Sequence, residues 1–304
     1  VSRDNPLAAR VTVNREWAAF FGRGLVGTPE DFGFQGELPA HGKLLDWLAV
    51  EFMERGWSMK HVHKLIVMSG TYRQSSRVTP ELLARDDQNK LHARGPRFRL
   101  DAETIRDNAL AAAGLLSLKA GGPPVRPYQP TGLWDNKVGG DRVTYEVSVG
   151  EDAWRRGIYT VWKRSSPYPS FVNFDATART ACTIRRSRSN TPLQALTLLN
   201  DPVYVEAAMA AAKRVLTERP DATTEERIRH AFRLCLARQP TANEVAALRN
   251  LFEQQAAVYA ADATAAKAVV GKFSLPPGTS AGDFAAWHAV ATVLMNLDEM
   301  ITKG

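Results

Sequence analysis

Apolar side chains recur along this chain with a helical period, and start or stop signals bound each recurrence. Leu7, Val11, Asn14, Trp17 and Phe21 share one helical face, widened by Ala18 and Phe20, and Gly22 and Gly24 close it. Asn14 in that stripe calls for backbone partners. Leu44, Leu45, Trp47, Leu48, Phe52 and Met53 predict a helix from Lys43 to Arg55, ended by Gly56. Ser58 caps the next helix, to about Ser69, with Met59, Val62, Leu65 and Ile66 inward, and the short link makes the two antiparallel neighbours. Asp101 opens a helix over 102–116 on the face Ile105, Ala109, Ala112 and Leu116.

The last third is patterned more strongly still. Thr191-Pro192 with Gln194 reads as a capping box whose proline sits where a missing N–H costs nothing. Asp201-Pro202 repeats the device for an alanine-rich helix to about Glu218. Ile228, Phe232, Cys235 and Leu236 mark a helix over 224–237. Thr241 with Glu244 opens one to about Ala260, and Ser280 with Asp283 opens the last, burying Phe284, Trp287, Ala291, Leu294 and Leu297. Residues 261–278 are looser.

Two stretches break the helical period. Gly121 to Pro130 holds four prolines and reads as a long ordered loop. Residues 143–149 and 157–163 alternate with period two across a short link, which predicts an antiparallel pair. The expectation is a mainly α fold with a small antiparallel β hairpin or sheet and long ordered loops. It forms one domain over 1–304, with helical subregions at 1–120 and 191–304 around a loop and β insertion at 121–190.

Composition changes this picture little. The chain has 304 residues, 44% hydrophobic and 23% charged, with a net charge of +7. No apolar run approaches the ~20 residues that span a bilayer. The positive excess is spread out and lacks the dense basic stripe of a nucleic-acid binder. Val1 to Pro6 contains no apolar leader core, and the chain, starting without Met, reads as a C-terminal piece of a longer multidomain protein. Cys182 and Cys235 lie outside any zinc, thioredoxin-like or haem-attachment spacing, so either one disulfide or two buried thiols is expected. No metal or cofactor site is encoded by spacing.

Candidate chemistry gathers around the capped helix at Thr191. Arg185, Arg186 and Arg188 precede a helix start whose free N–H groups and partial positive charge suit an anion. The irregular segment feeding it carries Trp162-Lys163-Arg164, and Tyr128 and Trp134 add rings that can stack on a sugar or a partner. Catalytic carboxylate candidates are Asp175 and Asp201, with Asp31 and Glu30 behind them, and His41 is a loop histidine beside carboxylates. Glu103 and Asp107, four apart on one helix, read as arginine partners rather than an acid/base pair. His61 and His63 point to different sides of their helix and cannot share a metal.

Many separate stretches together resemble one family. They are Val13-Asn14-Arg15-Glu16-Trp17, Phe21-Gly22-Arg23-Gly24-Leu25-Val26, Thr28-Pro29-Glu30-Asp31-Phe32-Gly33 and Leu44-Leu45-Asp46-Trp47-Leu48-Ala49. Thr71-Tyr72-Arg73-Gln74-Ser75, Ile105-Arg106-Asp107, Pro127-Tyr128-Gln129-Pro130, Gly132-Leu133-Trp134 and Trp162-Lys163-Arg164 follow. Phe174-Asp175-Ala176, Arg185-Arg186, Leu199-Asn200-Asp201-Pro202 and Asn296-Leu297-Asp298-Glu299 complete the set. The chain is similar in these stretches to a domain of unknown function found mainly in planctomycetes, C-terminal in large proteins that often carry a cytochrome c domain. Ala40-His41-Gly42 departs from the family's Ser-His-Pro, and Thr180 stands where an acidic residue is common. The resemblance implies a periplasmic or secreted location, polysaccharide-degrading surroundings and an upstream cytochrome c domain as partner, and it implies no assigned activity.

Three functions remain open at this point. One is a module that binds an anionic group, such as a sulfated or carboxylated polysaccharide or a partner domain. The second is a glycan-active enzyme working through carboxylates. The third is a purely structural domain whose arginines pair internally with carboxylates such as Asp175 or Asp107.

Overall fold

The structure is a computed structural model, and it describes residues 2–134 and 144–304. It is 52% helical, in thirteen helices among the described residues, and so mainly α. Two compact units divide it: Val1–Arg99 with Cys182–Arg186 and Thr302–Gly304, and Leu100–Ala181 with Ser187–Ile301.

In the first unit α1 (Ala8–Phe21), α2 (Gly42–Glu54) and α3 (Met59–Met68) pack together, with the short α4 (Pro80–Arg85) beyond them. The core is Val13, Trp17 and Phe21 of α1 against Leu45, Leu48 and Phe52 of α2 and Val62 and Ile66 of α3. Burial of such side chains stabilises by about 1.5–3 kcal/mol each before entropy is counted. Asn14 is fully buried in this stripe, and it meets the demand for backbone partners. Its amide donates to Val26 O at 3.1 Å and its carbonyl accepts from Val26 N–H at 2.9 Å. That pair clamps the turn after α1 and explains Gly24, where a Cβ would stand 2.5 Å from the Asn14 amide. The strands β1 (Phe98–Arg99) and β2 (Thr302–Lys303) pair antiparallel, Phe98 opposite Lys303.

The second unit holds α5 (Ala102–Ala113), α6 (Pro169–Asn173), α7 (Pro192–Asn200), α8 (Pro202–Glu218) and α9 (Thr224–Leu236). It continues with α10 (Ala242–Ala261), α11 (Ala263–Val270), α12 (Ala281–Met295) and α13 (Asp298–Ile301). Helix α8 is central, packed against both α5 and α12. Its buried Ala207, Ala208, Ala211 and Ala212 keep its surface low, so larger side chains from the neighbouring helices (Ile105 and Leu110 of α5, Phe284, Trp287, Val290 and Leu294 of α12) fill the core around it. Arg238 joins α9 to its neighbours by donating to Glu244 and to Glu299, both at 2.7 Å. The same guanidinium holds the Glu244 carboxyl down at about 2.

Most helix boundaries stand where their signals put them, and the exceptions are instructive. Helix α5 stops at Ala113 rather than near 116, because Gly114 takes a left-handed C-cap conformation, with φ +75°. Thr79-Pro80 starts α4, and Asp262 starts α11 inside a stretch expected to be loose. The predicted hairpin does not form among the described residues: Val143 lies outside them, and Gly157–Tyr159 is a single 3-10 turn. The two alternating stretches lie instead along the proline-rich loop. Val125 N–H donates to Tyr159 O, Val161 N–H to Val125 O and Ser148 N–H to Arg126 O, each at 2.8 Å. Pro123, Pro124 and Pro127 have no N–H to extend a ladder there. The antiparallel sheet is β1 with β2, two short strands far apart in the sequence. Both cysteines are free, and Cys182 is exposed rather than buried, whereas burial pushes the Cys235 thiol up to about 12.

Candidate functional site

The basic run before Thr191 is divided by the fold, since Arg185 and Arg186 group with the first unit and Arg188 with the second. Arg185 is exposed, Arg186 half-buried, and Arg188 lies 4.0 Å from Asp101. Thr191 is the N-cap of α7, and its N–H donates back to the Gln194 side chain at 3.4 Å. Asp175, at φ +59°, accepts both the N–H and the hydroxyl of Ser189 at 2.7 Å. Asp107 takes Arg156 at 3.3 Å and Gly157 N–H at 2.6 Å, and so is an arginine partner.

Of the aromatic candidates, Trp134 packs edge-on to Tyr145 at 4.9 Å, with Lys163 Nζ 4.8 Å over its ring and donating to its carbonyl at 3.3 Å. Trp162 donates to Ala178 O at 3.4 Å and lies under the Arg179 guanidinium. Tyr128 and Arg164 are exposed. His41 belongs to the first unit, where its ring meets His92.

Asp201 is the candidate that the fold sets among other chemistry. It is the N-cap of α8 and accepts Val203 N–H at 3.0 Å. A carboxylate capping a helix ordinarily titrates low. Burial wins here and raises the Asp201 carboxyl, against the pull of Val203 N–H and the Arg106 charge. Burial likewise raises Asp107, one residue beyond Arg106 on α5. Arg106 is 1% exposed; its Nη1 and Nη2 donate to Arg155 O and Ala153 O at 2.7 and 2.8 Å, and its Nε has no acceptor.

Tyrosines complete the group. Tyr168 and Ser170, where α6 begins, and Tyr204, in the first turn of α8, are all buried; the Tyr168 hydroxyl closes no hydrogen bond within the protein, and those of Ser170 and Tyr204 have no partner but each other. The Ser170 hydroxyl adjoins Tyr204, and Tyr168 feels Asp201, Arg106, Tyr204 and Tyr145. Burial drives both Tyr168 and Tyr204 well above the ordinary phenol range, so they are donors at neutral pH. Tyr145 is pushed up to about 12 by burial and donates to Pro127 O. Trp134 adds an indole N–H that is also buried without an acceptor. Buried polar groups are nearly always paired, and each one left unpaired costs about 1–3 kcal/mol. A group of donors around one arginine can hold an anionic or hydroxyl-rich ligand. The neighbouring Asp201 can take or give a proton nearer neutrality than an ordinary carboxyl.

Arg106 entered the sequence reading only within the family stretch Ile105-Arg106-Asp107, and Tyr168, Ser170 and Tyr204 were not singled out by it. One signal was available: Ala102, Arg106, Leu110 and Ala113 form a buried stripe on α5, with an arginine in an otherwise apolar row. The tyrosines had no such mark, since Tyr168 lies in an irregular stretch and Tyr204 reads as core.

Comparison with known proteins adds the lineage. A family model described as PSD1, protein of unknown function (DUF1553), matches residues 1–252. The chain belongs to the PSD1 family. No curated protein and no solved structure matches it. Every residue of the arginine–tyrosine–aspartate group falls inside the PSD1 match, whereas α11, α12 and α13 lie beyond it. Among the described residues of this PSD1 protein, no three His, Cys, Asp or Glu side chains gather as a metal site, and no helix is long and apolar enough to cross a membrane.

Proposed function

We propose that the second unit is a binding module for an acidic, hydroxyl-rich ligand, a carboxylated or sulfated stretch of glycan. The observation that carries this reading is the buried set of donors that the protein leaves under-used: Tyr168 Oη and Arg106 Nε have no acceptor, and Ser170 Oγ and Tyr204 Oη have only each other. Donors to an anion and an adjoining aromatic ring, Trp134, are what a charged sugar needs: hydrogen bonds for its acid group and an apolar face for its ring. The exposed Arg164 adds long-range attraction for an acidic chain. Binding an anion beside Asp201 favours the protonated carboxyl, so affinity rises as pH falls. A periplasmic or secreted setting and an adjoining cytochrome c domain fit this reading and rest on the family resemblance.

A second reading is favoured by Asp107 and Asp201, both raised by burial and both felt by Tyr204. Two carboxyls of altered basicity around one arginine suit acid/base work on a glycan, with Asp201 as proton donor.

The test is a panel of neutral, carboxylated and sulfated oligosaccharides, assayed for binding by calorimetry and for turnover by product analysis. Acidic members bind, and the pair Tyr168→Phe, Tyr204→Phe loses at least about tenfold in affinity, about 1.4 kcal/mol. Equal affinity in the phenylalanine variants, or binding no better than that of the neutral members, removes the proposal. Turnover that disappears in Asp201→Asn while binding persists selects the enzymatic reading.

A further inference from the structure

A second group of unpartnered nitrogens lies in the first unit, remote in kind from the tyrosine site. Trp17 Nε1–H donates to His92 Nε2 at 3.3 Å. An indole nitrogen is only ever a donor, so His92 Nε2 carries the lone pair. Burial, with the nearby His41 and Arg23, holds the His92 ring neutral by lowering it to about 4, although Asp86 opposes this. The ring proton is therefore on Nδ1. That Nδ1–H is buried and finds no acceptor within the protein. The His41 ring stands 5.8 Å away, and its Nε2 is buried and unpartnered too.

His92 also lines a cleft of about 390 Å³ together with Arg23, Arg94, Arg97, Asp87 and Ser76. Two of its cations, Arg94 and Arg23, are held in place. Arg94 donates to the main-chain carbonyls of Asp86 and Asp87, both at 2.8 Å, which orients its charge without using a carboxylate. Arg23 shares Glu37 with Lys90, so one carboxylate serves two cations. The Asp86 carboxylate is spent on the N–H groups of Lys90 and Leu91, each at 2.7 Å. A metal ion is the wrong guest. Coordination through Nδ1 would move the proton to Nε2 and set it against the Trp17 N–H, donor against donor.

We infer that this cleft is an anion site of the first unit, which takes a carboxylate, sulfate or phosphate group through His92 Nδ1–H and the Arg94 and Arg97 charges. The anion supplies the acceptor that His92 lacks, and its charge raises the affinity of the ring for a second proton. Occupancy of the cleft and protonation of His92 are thereby linked, each promoting the other.

Long-range proton–nitrogen spectra of the histidine rings in the full chain test this directly. Sodium sulfate, phosphate and acetate are titrated at ionic strength held constant with chloride. The expected result is a saturating shift at His92 Nδ1 and a rise in the His92 titration midpoint. Arg97→Gln, at an exposed position, weakens saturation about tenfold. The relative strength of the acetate and sulfate arms tells whether a carboxylate or a tetrahedral anion is preferred. Shifts that never saturate, or that match in wild type and Arg97→Gln, overturn the site. Saturation by zinc chloride but by none of the anions overturns it as well, in favour of a metal. His92→Phe keeps a ring beside Trp17 and removes the donor; anion binding that survives in it, with the fold intact, likewise rejects the inference. Tyr168→Phe with Tyr204→Phe leaves this titration unchanged, so the two binding proposals fail or stand separately.

Discussion

Two helix starts in the second unit, Thr191-Pro192 and Asp201-Pro202, share one local design and have opposite surroundings. Around the first, polar groups close on one another. Gln194, 1% exposed, donates to Asn173 O at 3.0 Å and to Ser189 Oγ at 3.1 Å, while Ser189 gives both its protons to Asp175. Asn173 reaches Thr197 Oγ1 at 3.0 Å, and that hydroxyl donates to Leu193 O. Around the second, Asp201 satisfies Val203 N–H, the Tyr168 hydroxyl stays unpartnered, and those of Tyr204 and Ser170 have only each other. The proline and cap are worth about 1 kcal/mol at either start. What separates the two is the balance of the network, since a satisfied one fixes structure and an unsatisfied one stores a cost that a ligand can relieve.

Substitutions sharpen or break this contrast. Arg106→Leu has the largest expected effect, about 4 kcal/mol of lost stability by urea denaturation. It strands the carbonyls of Ala153 and Arg155 in the interior and removes the cation that Asp107 and Asp201 both feel. A loss under about 1 kcal/mol would mean that this charge is not integral to the buried site. Gln194→Ala at the closed network costs about 2 kcal/mol, because Asn173 O and Ser189 lose their donor in a buried place.

The open network responds with the other sign. Tyr168→Phe raises stability by about 1 kcal/mol, since an unpaired hydroxyl leaves the interior with no bond lost, and Tyr204→Phe raises it by less, because its hydroxyl also faces that of Ser170. Destabilisation by a similar amount would show those hydroxyls to be partnered and would erase the difference between the two starts.

The smallest effect is a pH dependence. The Asp201 carboxyl is raised in the folded chain, so folding is penalised at neutral pH, and the penalty fades as pH falls through the folded value towards that of a free aspartate side chain. Asp201→Asn keeps a capping oxygen and carries no charge. Its stability advantage over wild type is therefore expected at pH 7 and shrinks towards pH 4, read as the difference between their urea midpoints. An advantage constant across that range would assign the change to something other than the titration of Asp201.

Legibility followed the reach of the interactions. The cap at Ser58 accepts from His61 N–H, the Thr241–Glu244 box forms, and Ser280 accepts from Asp283 N–H, all as the residue spacing requires. Asn14 found backbone partners, as a buried amide in an apolar stripe must. The hairpin failed for a physical reason of the same kind. Period-two alternation shows that a segment is extended, but not which backbone it meets, and here it meets a proline-rich loop. The arginine run drew notice through its density, yet the fold divides it between two units.

The sequence by itself determined where helices begin and end and which of their faces are apolar, because those depend on groups within a turn or two along the chain. Tertiary structure alone decided which polar side chains lie in the dark. Arg106 meets carbonyls some fifty residues away, and the Tyr204 hydroxyl comes to rest near Asp107 from another helix. Burial, and the shifts in proton affinity that follow from it, belong to such long-range meetings, so the chemistry of Asp201 became visible only when the helices were packed.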